Sequence, residues 1–394
     1  MDYNSYRPQL WVYNLTIEHQ LPGATSLSVA YAGSRGAHLW GIMDAQPATP
    51  TVVGGVRYWN VFSPVPNPAI GSTTTTATNA ASWYNSLQVV VNKRLGHGLQ
   101  FQAAYTYALL LDEPSGQEDV ADCSGAMPPP GLEGVDPFHP LTDRGPACFD
   151  VKHNLRFNLI YHFPNMKSNG FLSKFTNGWW MGNIVSVQSG YAFTPVESAN
   201  RSNSNVLQGQ FEWLDYNKYS VPAGGTDPLG NVNNTPYNFV PFNKKTVITG
   251  NPNQWFNPLM FNLQPTYYQG TTVPGVGTFP ALSGCSTGNG GCYYGQLGNT
   301  GRNTLRGPGF GEWNFSIVKD TAIHALGEQG NLEFRVETFN LLNRANFAMP
   351  DPRAFTGNPV DTTPYSESPL ANVGQITATS GKSRQIQFAL KVIF

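Results

Sequence analysis

Arg384-Gln-Ile-Gln-Phe-Ala-Leu-Lys-Val-Ile-Phe394 alternates almost perfectly. Ile386, Phe388, Leu390, Val392 and Phe394 fall on one face. Gln385, Gln387, Ala389 and Lys391 fall on the other, and only Ile393 breaks the rule. Side chains of a strand point alternately to its two faces, so the segment predicts a strand with one apolar and one mostly polar side. Such a strand suits the edge of a soluble sheet. It equally suits a transmembrane barrel, where a strand ending on Phe394 also serves as the assembly signal read by the barrel-assembly machinery. The remaining sequence decides between the two.

The same period recurs upstream. Trp11, Tyr13, Leu15 and Ile17 oppose Asn14, Thr16 and Glu18. Leu99, Phe101, Ala103, Tyr105 and Tyr107 oppose Gln100, Gln102 and Thr106. Leu155, Phe157, Leu159 and Tyr161 oppose Asn154, Arg156, Asn158 and His162. About nine such strands are expected, and no segment holds a helical period over several turns, so the fold class is all-β with antiparallel hairpins.

The connections are unequal. Residues 20–24, 95–98 and about 323–330 make short turns, and 164–178 is a medium link. Residues 34–81, 110–149, 195–309 and 343–383 are long and rich in Gly, Pro, Asn, Ser and Thr. Short and long connections alternate, which puts all the long loops at one end. Loops of this length are unusual in a compact soluble domain, whereas membrane barrels carry short periplasmic turns and long extracellular loops. Aromatics gather at both strand ends, with Tyr161, Phe163, Trp179 and Phe394 toward the turns. Trp83, Tyr84, Tyr105, Tyr107, Tyr191, Phe193 and Trp313 lie toward the loops, as two interfacial girdles would.

Composition agrees. Of 394 residues, 12% are charged and 13% aromatic, with a mean hydropathy of −0.29. No apolar run approaches the roughly 20 residues of a membrane helix, but a barrel strand needs only alternate apolar residues. A formal net charge of −1 argues against a nucleic-acid partner, which demands clustered cations. Met1-Asp-Tyr-Asn-Ser-Tyr-Arg-Pro has neither the basic nor the apolar region of a secretory leader. An odd number of antiparallel strands also cannot close, because its two edges run the same way. Both points lead to the expectation that residues 1–394 are the C-terminal portion of a larger barrel.

A set of motifs in fixed order resembles the C-terminal barrel half of TonB-dependent outer-membrane receptors, in the Oar-like branch that carries a carboxypeptidase-regulatory-like domain. The matching stretches include Tyr31-Ala-Gly-Ser-Arg-Gly-Ala-His-Leu39, Tyr84-Asn-Ser-Leu-Gln-Val-Val-Val-Asn-Lys-Arg94 and Phe149-Asp-Val-Lys-His-Asn154. Further along come Gln188-Ser-Gly-Tyr-Ala-Phe-Thr-Pro195, Gly301-Arg-Asn-Thr-Leu-Arg-Gly-Pro-Gly-Phe310 and Phe334-Arg-Val-Glu-Thr-Phe-Asn-Leu-Leu-Asn343. The resemblance implies a partial arc of a 22-stranded barrel in the cell outer membrane. Its partners would be lipid, the missing N-terminal strands and plug, and TonB through them. It implies uptake of an unidentified ligand by the whole receptor, and a chain that is not transport-competent alone. No cofactor is implied.

The alternatives are a surface adhesin or carbohydrate-binding outer-membrane protein, a passive porin and, least supported, an enzyme. Loop aromatics Trp40, Trp59, Trp213, Tyr216, Trp255, Tyr267, Tyr268, Tyr293 and Tyr294 either stack on a sugar or planar ligand or pack the loops together. Lys152, Arg156, Glu333, Arg335, Glu337 and Lys391 are expected to face the lumen as a charge ladder. Asp136, His139, Asp143, Asp150, His153 and His162 share no spacing that enforces a catalytic or metal site, and His153 falls on the lipid side. Cys123 with Cys148, and Cys285 with Cys292, are expected as two loop disulfides. Zinc ligation and free thiols are the competing readings.

Overall fold

The computed structural model describes residues 5–71, 73–113, 142, 144–166, 171–204, 212–285, 292–323, 330–359 and 361–394. Nine long strands make one sheet, each beside its neighbour in sequence. They are β1 (Gln9–Leu21), β2 (Thr25–Asp44), β3 (Thr74–Gly96), β4 (Leu99–Asp112), β5 (His153–His162), β6 (Trp179–Gln188), β7 (Phe310–Ala322), β8 (Asn331–Phe339) and β9 (Gln385–Ile393). All eight contacts between them are antiparallel.

The register shows why these sequences pair. Residues directly opposite in an antiparallel ladder share a face. Leu15, Tyr31, Leu87, Tyr107 and His153 lie opposite one another from β1 to β5. The adjacent row runs Thr16, Ala30, Gln88, Thr106, Asn154 and Gln188 from β1 to β6. At the other edge Ile317, Val336 and Phe388 align, beside Ser316, Glu337 and Gln387. The alternation is thus carried through most of the sheet as one largely apolar and one largely polar face, with Asn183 and Ile184 of β6 exchanged. A slip of one residue would transpose them, so burial of the apolar face in lipid fixes the register.

The turn between β3 and β4 is two residues long. His97 (φ 52°) and Gly98 (φ 78°) both take left-handed conformations, as the tight hairpin turn matching strand twist requires. A side chain at position 98 would clash with the His162 carbonyl. Between β5 and β6 the link contains a short helix, α1 (Phe171–Thr176), which the sequence did not predict.

Strands β2 and β3 also run further than expected, pairing out to Asp44 opposite Thr74 with register shifts around Leu39. Beyond the bilayer the backbone ladder persists without an apolar face to preserve.

The apolar face of the wall is largely exposed. Leu15 is 65% exposed and Phe388 69% exposed. The buried core lies instead among the long loops. Phe193, Leu214, Phe239, Phe256, Phe261 and Phe355 form its centre, with Tyr365 and Val373. Phe193, expected in a girdle, is therefore an interior residue of the cap, with its ring 5.7 Å from that of Phe256. A second cluster joins Val53, Tyr58, Phe279 and Tyr294.

Candidate functional site

The cap is one folded layer built from separate loops. Trp59, in the loop after β2, exchanges backbone hydrogen bonds with Gly295, and its indole donates to the Ala48 carbonyl. Arg302 donates to the Asp112 carboxylate and carbonyl at the top of β4. Its guanidinium is pushed down to about 10 by burial and stays charged at neutral pH. Arg306 pairs with Asp150, whose other oxygen accepts from the Leu110 amide. These pairs fasten residues 302–306 to the rim of the wall.

The strongest single tie is Arg201. It is fully buried and donates to the main-chain carbonyls of Gln264, Asn358, Asp361 and Thr363, so one guanidinium joins the loop after β6 to the loop after β8. Glu197 and Glu212, also fully buried, are among the acidic groups around it, with Glu367 and Asp361. Glu212 accepts from the Ser202 hydroxyl (2.5 Å) and amide (2.9 Å). Burial pushes Glu212 up to about 7. Burial and repulsion from Glu212 hold Glu197 well above the usual carboxylate range. Burial likewise takes Asp215 up to about 6.

Protons therefore bind the folded cap more tightly than an opened one. The stabilisation is complete below the ordinary carboxyl value of 4.5 and is lost as pH rises through about 7. For Glu212 the difference corresponds to about 3 kcal/mol. Hydrogen exchange of cap amides is expected to be slower at pH 5 than at pH 8 once corrected for intrinsic rate. Glu212→Gln should flatten that difference, and an unchanged pH slope in the variant would refute the assignment.

A cleft of about 380 Å³ opens between three loops, lined by Arg57, Trp59, Thr142, Trp213, Gln296 and Asn299 among others. Of the nine loop aromatics singled out from sequence, Trp59 and Trp213 line it. Trp213, Tyr293 and Tyr294 are at most 2% exposed. Tyr216 donates to the Thr300 carbonyl and Trp255 to the Arg306 carbonyl. Tyr267 stacks on Phe279 at 4.7 Å, and its hydroxyl is pushed up to about 12 by burial. Tyr268 alone is exposed, at 50%.

Among the lumen candidates, Arg335 lies between Glu333 (3.1 Å) and Glu337 (3.2 Å), with Lys391 opposite Glu333 in the ladder. Arg156 donates to Gln188 on the same polar face. Lys152, expected in the lumen, lies elsewhere. It precedes β5, and its ammonium lies 5.9 Å from the outward-facing Tyr107 ring, where the pleat no longer dictates direction. His153 faces outward with Tyr107, and its Nδ1 is 2.8 Å from the Tyr105 hydroxyl.

Cys285 and Cys292 are joined by a disulfide, with Cα atoms 5.6 Å apart. Cys148 is also disulfide-bonded, while Cys123 lies outside the described residues. Asp136, His139 and Asp143 are likewise outside them. Among the described residues no cluster of three or more His, Cys, Asp or Glu is arranged to hold a metal. No helix among them is long and apolar enough to cross a membrane, which says nothing of crossing by strands.

A sheet with one lipid-compatible face, short turns at one end and a folded cap at the other is the wall of a transmembrane β-barrel protein. The match over residues 1–387 is to the outer membrane beta barrel domain. The chain belongs to that family, and its place is the outer membrane. No curated protein matches it. Among solved structures it is similar to P. aeruginosa FpvA, described as bound to heterologous pyoverdines in an iron complex, at 11% identity and a TM-score of 0.33. That similarity covers 97% of this chain and 27% of the other.

Proposed function

We propose that the chain forms the C-terminal wall and extracellular cap of a TonB-dependent receptor that takes up a ligand across the outer membrane. The observation that carries the reading is parity. Nine antiparallel strands present β1 and β9 as edges running in the same direction, each with one partner among the described residues. Open edges in hydrocarbon leave backbone groups without hydrogen bonds, at several kcal/mol apiece. Further strands, odd in number, would complete the ring. The polar ladder of Glu333, Arg335 and Glu337 would then face a plug, and the cleft beside Trp59 and Trp213 would be the point of ligand entry. The motif order quoted above supports the same family branch, and energy would come through the plug rather than through this wall.

The experiment compares the chain alone with the chain joined to its genomic upstream region. Only the longer protein should show heat-modifiable migration in detergent and retain the periplasmic domain of TonB. Heat-modifiable migration by residues 1–394 alone would defeat the proposal in favour of a self-contained barrel.

A further inference from the structure

Charged residues on the apolar face of the wall mark the borders of the bilayer, because a cation there is strongly disfavoured at the midplane and tolerated at the interfaces. Two levels stand out. Lys93 lies opposite Thr25 at the turn end, and Arg35 is ten residues further along β2 (35 minus 25). Ten residues rise about 34 Å along a strand and, at the usual tilt, about 25 Å along the membrane normal, which is the height of a barrel's apolar band. Asn85, just below Arg35, accepts from the hydroxyls of Tyr13 (3.1 Å) and Tyr31 (2.6 Å), as expected where tyrosines meet headgroups.

The two levels differ in how their cations are satisfied. At the turn end Lys93 donates to the Gly23 carbonyl at 2.6 Å, and Lys319 donates to the Asn177 carbonyl at 2.5 Å. At the loop end Arg35 and Arg144 are exposed and gather around one ring, Trp83, at 5.9 Å and 4.0 Å from its centroid. Among the described residues neither guanidinium makes a hydrogen bond or ion pair. The acid facing Arg144 is Glu113, which is buried and whose carboxyl is held above its ordinary value mainly by that burial. Asp112 and Asp150 are taken by Arg302 and Arg306. Lys152 adds a third cation on the outward side.

We propose that Arg35 and Arg144, held by Trp83, bind the phosphate of a lipid headgroup in the outer leaflet. Planar guanidinia suit phosphate oxygens, and stacking on the indole leaves their N–H edges free to donate. This site rests on the outer-membrane location and outward loops alone, not on the receptor reading.

The test uses the full-length protein in detergent, incubated with bisphosphorylated or dephosphorylated lipid A, with retained lipid read by native mass spectrometry. Wild type should retain the phosphorylated form roughly thirtyfold better, the equivalent of two headgroup cations. R35Q/R144Q should lose the preference while keeping heat-modifiable migration, and R35K/R144K should keep much of it. Equal retention of both lipids by wild type would overturn the proposal. So would an undiminished preference in the glutamine variant, or full displacement of lipid A by excess inorganic phosphate, which would mark a free-anion site.

Discussion

Arg201→Ala is expected to open the cap while leaving the wall in place. The substitution removes the donors to four carbonyls in two loops and leaves those carbonyls without them. A hydrogen bond from a charged donor contributes about 1.5–3 kcal/mol, and here several are lost together. At about 1.4 kcal/mol per tenfold, hydrogen exchange near Leu214, Phe239 and Phe355 should quicken by two to three orders of magnitude. In the full-length protein heat-modifiable migration, a property of the strands, should persist. Arg201→Lys keeps the charge but not the fork, and should fall between. If cap exchange is unaltered in Arg201→Ala, the guanidinium is not the tie.

The second large effect separates two adjacent residues of β5. Phe157 lies on the apolar face opposite Ala103 and Val185, with its ring 6.1 Å from that of Phe101. Asn158 faces the polar side opposite Gln102 and Ile184. In the full-length protein Phe157→Arg should cost about 2–4 kcal/mol and deplete folded protein from the outer membrane. Asn158→Arg, in a hydrated setting beside Arg156, should cost well under about 1 kcal/mol. Equal tolerance of both would mean that lipid does not cover the Phe157 face.

Much of the wall was legible because a bilayer imposes a simple code. Each strand must alternate, and the β9 alternation from Ile386 to Val392 states its face without reference to any other part of the chain. Legibility ended where the lipid did. Thr74 to Ala77 pair with β2 yet show no alternation, because above the membrane the ladder needs only backbone. Helix α1 is too short for its period to be read.

The cap was harder still. Its core residues Leu214, Val221, Phe239 and Tyr365 are spread over more than a hundred positions and meet only through loop closure. Arg201, Glu197 and Glu212 were not singled out beforehand. The available signal was their rarity: charges make up 12% of the chain, and an isolated arginine between two glutamates in a Ser- and Asn-rich loop is a candidate for burial. The loop aromatics offered two roles, and burial of Trp213, Tyr293 and Tyr294 places their rings inside the cap.

The placement of the greasy core outside the bilayer sets an order of events during biogenesis. The segments bearing Phe193, Phe239 and Phe355 must first travel to the far side as extended polypeptide, since the condensed lid is far wider than a strand. Only after the staves are seated can Arg201 find carbonyls from both segments. Maturation should therefore show resistance to heat-induced unrolling before resistance to an externally added protease; the reverse sequence would indicate a lid that condenses ahead of its staves.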